Sequence, residues 1–251
     1  KSRQMNAASG PHAEPAADPA LARDLAMANR ILFSEGVVDA FGHISVRHDK
    51  RPDRFLLARN MAPALVTADD ILTFDLDSAP LDAVGRGVYL ERFIHGEIYK
   101  LRPDVMSIVH SHAPSVVPFT VVKTVPLRAI CHMSGFIGEA TPNFEIRDTA
   151  GEASDLLIRS RVLGAALARV LGSSNLVLMR GHGSTVVAGS IPLAVYRAVY
   201  TEVNARLQAA AMRLGPPTFL TAGECRSAMA ATEGQAQRAW ELWRMRVEGK
   251  V

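Results

Sequence analysis

At 251 residues the chain is long enough for one large domain with a substantial core, and no Pro/Gly/Ser-rich linker divides it. Its hydrophobic share of 48% is that of a soluble globular protein, and no apolar run approaches the roughly 20 residues needed to cross a bilayer. The net charge of +3 is mild and few aromatics lie among the scattered Lys and Arg, which leaves nucleic-acid binding unsupported.

The opening KSRQMNAASGPHAEPAADPA is polar, Ala/Pro-rich and without the apolar stretch of a signal peptide. Residues 1–17 therefore read as a flexible arm, and 18–251 as a single domain with a helical tail. Two cysteines, Cys131 and Cys225, give no disulfide framework, so a reducing cytoplasm is the default expectation.

Asp18-Pro19 opens a helix as N-cap and first-turn proline, Gly36 closes it, and Leu21, Leu25, Ala28 and Leu32 form its buried stripe. Between Ala40 and Phe74, the segments HISVRH, RFLLA and ILTFD read as short strands. A helix is expected over Tyr89–Leu101, with Leu90, Phe93, Ile94, Ile98 and Leu101 on its apolar face. Val105–Val109 reads as a strand after the breaker Pro103. Further on we expect a strand at Leu127–Ala129, a long helix over Asp148–Leu171, strands at LVLM and TVVAG, and helices over Pro192–Leu214 and Ser227–Arg246. Strands in the middle with helices before, between and after them argue a three-layer α/β/α architecture.

The chemistry lies at two places. In an extended chain residues two apart share a face, so His110 and His112 of VHSH project side by side while Ser111 points away. His182 sits between Gly181 and Gly183, where the backbone can turn sharply and aim a side chain inward. Three neutral imidazoles with open positions beyond them describe a catalytic transition-metal site. Glu91 and His95, four apart, share one side of the preceding helix.

The order Glu91…His95…His110-Ser111-His112…Gly181-His182-Gly183, with GHISVR (Gly42–Arg47) ahead of it, resembles the class II aldolase/adducin family from about Ala20 to Leu214. The resemblance implies a mostly antiparallel central sheet and a C4 homotetramer with sites at subunit interfaces. It also implies one divalent metal on His110, His112 and His182, and Glu91 as acid/base beside it. Mn²⁺ or Zn²⁺ is the first expectation, Fe²⁺ and Co²⁺ being compatible with imidazole ligation, and no organic cofactor is expected.

Where sugar-phosphate aldolases of the family place small phosphate-binding residues, this chain has His43, the stretch Asn60–Pro63 and Tyr89-Leu90. A phosphate needs several small donors converging on it, so a flatter, more apolar anionic ligand is expected. The pattern resembles the decarboxylase branch, whose substrates include 3-hydroxy-2-methylpyridine-4,5-dicarboxylate, from vitamin B6 breakdown, and 3,4-dihydroxyphthalate. Glu91, with its pKa raised by apolar Leu90 and Phe93, would deliver the proton. His43 is a second catalytic candidate or only a turn cap, and Arg47, Arg59, Ser45 and Tyr89 are candidate substrate contacts. Two alternatives stand: an aldolase or epimerase of an unphosphorylated hydroxy-carbonyl compound, and an adducin-like interaction module. His132 is a pocket or surface residue, and Tyr196, Tyr200, Trp240 and Trp243 read as packing. His12 and His48 need no functional reading.

Overall fold

A computed structural model describes residues 14–251. Of the expected arm, residues 14–17 are described and His12 lies outside the described residues. Asp18 caps α1 (Pro19–Ser34) by accepting from the Ala20 N–H, with Pro19 in the first turn, where no N–H is needed. Then follow β1 (His43–Arg47), β2 (Arg54–Ala58) and β3 (Ile71–Asp75). A short 3-10 turn, Leu90–Arg92, leads into α2 (Phe93–Leu101) and β4 (Ser107–Ser111). The chain continues through α3 (Val117–Val121), β5 (Asn143–Phe144), α4 (Arg147–Ala150), α5 (Arg161–Leu171), β6 (Leu176–Met179) and β7 (Gly183–Ala188). It ends in α6 (Ile191–Leu214), α7 (Ala222–Glu233) and α8 (Ala236–Val247).

The seven strands form one sheet in the order β3-β2-β1-β4-β7-β6-β5, antiparallel at every pairing except β5 with β6. Alternation along the strands feeds two cores. Ile44, Val46 and Val109 face one core with α1, α6 and α8, where Trp240 and Trp243 are buried; Phe55, Leu57 and Ile108 face the other with α2 and α5. The result is the expected three-layer α/β/α arrangement. His110, two residues from Ile108, falls on the α2/α5 face at the end of the central strand.

Several expected elements differ from those observed. The histidine strand is Ser107–Ser111, so His112 lies one residue past its end. Glu91 belongs to the 3-10 turn (φ −91°, ψ 20°) and not to an α-helix running from Tyr89. No strand forms at Leu127–Ala129: side-chain amides of α6 take the place of a neighbouring strand. Gln208 accepts from Arg128 N–H and donates to Pro126 O, and Asn204 accepts from Ile130 N–H and donates to Arg128 O. The expected helix over Asp148–Leu171 is two helices separated by a loop, broken at Gly151 (φ +76°) and restarted where Ser160 caps α5. The last long helix is likewise two, α7 and α8, divided at Gly234.

Because Gln208 is fully buried, Gln208→Ala strands two backbone groups in the core. We expect a loss of about 2–4 kcal/mol, read as a lower urea midpoint at unchanged m-value.

Candidate active site

His110, His112, His182 and Glu91 converge. Their ligand atoms all lie within 4.8 Å of one another. His112 Nε2 is 3.2 Å from His110 Nε2 and 3.1 Å from His182 Nε2, and Glu91 Oε1 is 3.4 Å from His182 Nε2 and 3.9 Å from His110 Nε2. Ligands bonded at about 2.0–2.1 Å to one tetrahedral ion stand roughly 3.3–3.4 Å apart, so the spacing fits a metal.

Protonation supports the same fit. His110 Nδ1 lies 3.1 Å from Ser184 O, and His182 Nδ1 lies 3.0 Å from Leu156 O. A carbonyl only accepts, so both rings carry a proton on Nδ1, and His110 then presents a bare Nε2 to the cluster. Against the effect of burial, Glu91 holds His182 above the ordinary histidine range, and the His182 Nε2 is open to a metal once the proton it shares with Glu91 has left. Burial first of all, and the neighbouring His182 after it, hold His112 below the ordinary histidine range; burial holds His110 well below it. These neutral rings are ready ligands.

Local backbone sets these directions. Gly181 turns at φ +66°, and a Cβ on Gly183 would overlap Ser111 O, so β7 passes against the strand that carries His110. The loop after α4 supplies the supports: Leu156 O holds His182, and Ile158 N–H donates to Glu91 Oε2 at 3.0 Å. Leu156 itself stands at φ +71°, a conformation that costs an L residue roughly 1–2 kcal/mol.

Glu91 departs from expectation. Burial by itself raises its pKa, but the hydrogen bond and charge of a protonated His182, together with the Ile158 N–H, outweigh burial and hold the carboxyl well below the usual range. Apolar Leu90 is 41% exposed and does not enclose it. The group rests as a carboxylate.

Above the cluster lies a cavity of about 490 Å³, lined by Ala40–His43, Asn60–Ala62, Tyr89–Glu91, His110, His112 and Leu157. The three segments singled out in the sequence all reach it. Tyr89 is a wall residue; its hydroxyl donates to Met61 O at 2.6 Å, and burial raises its pKa to about 12. His43 lines the cavity with its ring centroid 5.2 Å from that of His110, and its Nδ1 faces His95 Nε2 and not a turn N–H.

Other candidates lie elsewhere. Arg47 is buried and does not line the cavity, and its guanidinium spends four of its five N–H groups on Val105 O, Pro52 O, Tyr99 O and Arg102 O. Ser45 is buried behind His43 against His95. Arg59 is paired with Asp70 at 2.8 Å and does not line the cavity, although it adjoins Asn60. His132 is exposed, and the His48 ring caps a turn by accepting from Lys50 and Arg51 N–H. Tyr196 is buried, with its hydroxyl on Met133 O. Sequence reasoning missed Phe41 and Leu157 as lining residues and assigned no task to His95. The four-residue step from Glu91 through His95 to Tyr99, facing the alternation His43, Ser45, Arg47, was the available signal.

Fold and site together define an α/β/α protein with a three-histidine, one-carboxylate centre able to hold a metal. Residues 23–209 match the Class II Aldolase and Adducin N-terminal domain, and the chain belongs to the class II aldolase/adducin family. Decarboxylase tropJ of Talaromyces stipitatus is 42% identical over 241 residues, covering 87% of this chain and 90% of that protein. The 3,4-dihydroxyphthalate decarboxylase of Arthrobacter keyseri is 32% identical over 201 residues, covering 73% and 75%. These relatives place the chain with the family's decarboxylase branch. L-fuculose 1-phosphate aldolase from Glaciozyma antarctica PI12 shares the fold, with a TM-score of 0.73 at 21% identity over 92% of this chain and 91% of that one. Among the described residues no helix is long and apolar enough to cross a membrane.

His110→Ala, His112→Ala or His182→Ala should each lose most bound divalent metal while keeping a cooperative melt, because two imidazoles leave mostly water around an ion. Metal content by mass spectrometry after dialysis checks this. Full occupancy in His112→Ala contradicts the ligand set.

Proposed function

We propose that the chain is a divalent-metal-dependent decarboxylase of an ortho-hydroxy aromatic or pyridine dicarboxylate. The observation that carries the reading is the convergence of three imidazole Nε2 atoms and one carboxylate beneath a cavity with largely apolar walls. Two relatives named as decarboxylases support it, one of them for 3,4-dihydroxyphthalate, which carries a hydroxyl beside a carboxylate. Residues His110, His112 and His182 would hold one ion per subunit, with Mn²⁺ or Zn²⁺ the expected metals. That ion supplies Lewis-acid stabilisation of negative charge on an adjacent substrate oxygen.

The chain's own residues do the rest. Phe41, Met61, Leu90 and Leu157 enclose the ring between apolar surfaces. Glu91, resting as a carboxylate, takes the substrate's hydroxyl proton and returns it to the ring carbon that bears the leaving carboxylate. The bond to that carboxylate then breaks, its electron pair restores the aromatic ring, and CO2 departs. Glu91 is left ionised, as it began. Arg47 has no part in binding in this scheme; Asn60, His43 and the rim beside Arg59 are the polar contacts for the second carboxylate. We further propose a homotetramer, a cytoplasmic location and no organic cofactor.

Glu91→Gln should retain metal and fold but lower turnover by about a hundredfold or more, measured as CO2 release; near wild-type turnover moves the proton transfer elsewhere. A panel of ortho-hydroxy dicarboxylates, their methoxy analogues and the monocarboxylates tests the substrate. Only the free hydroxyl compounds should react. Equal turnover of a methoxy compound, or cleavage of an unphosphorylated aldol with no aromatic acid reacting, overturns the reading.

A further inference from the structure

Behind His43, away from the cavity, four polar side chains run in line into the interior. His43 Nδ1 is 2.7 Å from His95 Nε2, His95 Nδ1 is 2.5 Å from Ser45 Oγ, and Ser45 Oγ is 2.8 Å from the Tyr99 hydroxyl. All four residues are buried, none more than 4% exposed. An arrangement in which Tyr99 and His95 Nδ1–H both donate to Ser45 leaves the buried Ser45 O–H without an acceptor, so the protons along this line run in one of two senses. In the first, Tyr99 donates to Ser45, Ser45 donates to His95 Nδ1, and His95 Nε2–H donates to His43 Nδ1. In the second, every bond reverses.

The two senses differ at their ends. Ser45 Oγ is the only hydrogen-bond partner of the Tyr99 hydroxyl among the described residues. The second sense therefore strands the Tyr99 O–H in the core without an acceptor, a state that folded proteins avoid. In the first sense every buried hydrogen is used, and the one remaining donor, His43 Nε2–H, is on the ring edge opposite the relay. The Arg47 guanidinium sits 4.7 Å from the centroid of the Tyr99 ring, and a cation over that face makes the phenol a stronger donor and a poorer acceptor. It favours the same sense.

We infer that Tyr99, Ser45 and His95 form a one-way hydrogen-bond relay that fixes neutral His43 as its Nε2–H tautomer, offering that N–H to an anionic oxygen of the substrate. The opposite tautomer would turn a lone pair toward the same oxygen and repel it. His43 is the group that meets the substrate; the other three are positioning residues. The functional half of the inference rests on the decarboxylase reading, and the tautomer itself does not.

The test is ¹⁵N NMR of the histidine rings in the full chain, loaded with diamagnetic Zn²⁺ and again after chelation, with His43 assigned by loss of its signals in His43→Gln. Expected is a bare Nδ1 and a protonated Nε2 on both His43 and His95. A protonated Nδ1 on His43 overturns the inference. In Ser45→Ala, which cuts the relay, the His43 nitrogen shifts should move toward the average of two tautomers. For the acid that the wild-type chain decarboxylates, kcat/KM should fall about tenfold. Unchanged His43 shifts in that variant overturn the relay. If no ortho-hydroxy acid reacts with the wild-type chain, the decarboxylase reading fails, while the nitrogen shifts still decide the tautomer.

Discussion

A carbonyl oxygen can only accept a hydrogen bond, so the contacts of Ser184 O with His110 and of Leu156 O with His182 settle which nitrogen of each ring carries a proton. His110 Nε2 is then bare, His182 Nε2 shares its proton with Glu91 until a cation replaces it, and both are aimed at His112 Nε2. Lone pairs brought that close repel one another unless a cation or a shared proton lies among them. The metal-binding capacity of the site thus follows from backbone groups that no histidine motif contains. It also accounts for otherwise unfavourable features nearby, among them the positive φ of Leu156 and the close pass of Gly183 by Ser111.

Charge in the site follows from the same arrangement. A buried carboxyl among apolar side chains would stay protonated, and Glu91 is buried. Its surroundings are nevertheless polar where it matters, with His182 on one oxygen and Ile158 N–H on the other. The hydrogen bonds outweigh the desolvation. A carboxylate held this way rests ionised, and the groups that stabilise the charge also lower its affinity for a proton.

Several polar residues on these elements are architectural. Arg47 ties the strand β1 to the backbone around Tyr99, Arg102 and Val105, with each hydrogen bond made to a carbonyl. Asn204 and Gln208 act as a substitute strand edge for residues 126–130. In each case a buried side chain satisfies backbone groups that regular structure leaves open. Such residues look functional in a sequence because they are polar and sit beside apolar neighbours; in the structure their hydrogen bonds go to backbone.

The sequence by itself determined the strands flanking the site, most of the helices and the pairing of His110 with His112, because these depend on local periodicity. The convergence of His182 and Glu91 on that pair was implied only by the family resemblance. Alternation in VHSH puts His110 and His112 on one face, glycines around His182 permit its turn, and Asp18-Pro19 starts α1 as capping chemistry requires. Only the tertiary structure decided the break between α4 and α5, since apolar spacing across Asp148–Leu171 continues through the loop that carries Leu156 and Ile158. It also decided the ionisation of Glu91, the withdrawal of Arg47 from the cavity and the line from His43 to Tyr99. Each of these rests on partners far away in the chain: Ile158 lies 67 residues from Glu91, and His95 lies 52 from His43. Spacing along a chain reports which face a side chain takes, while its charge and its free donors depend on what the fold packs against that face.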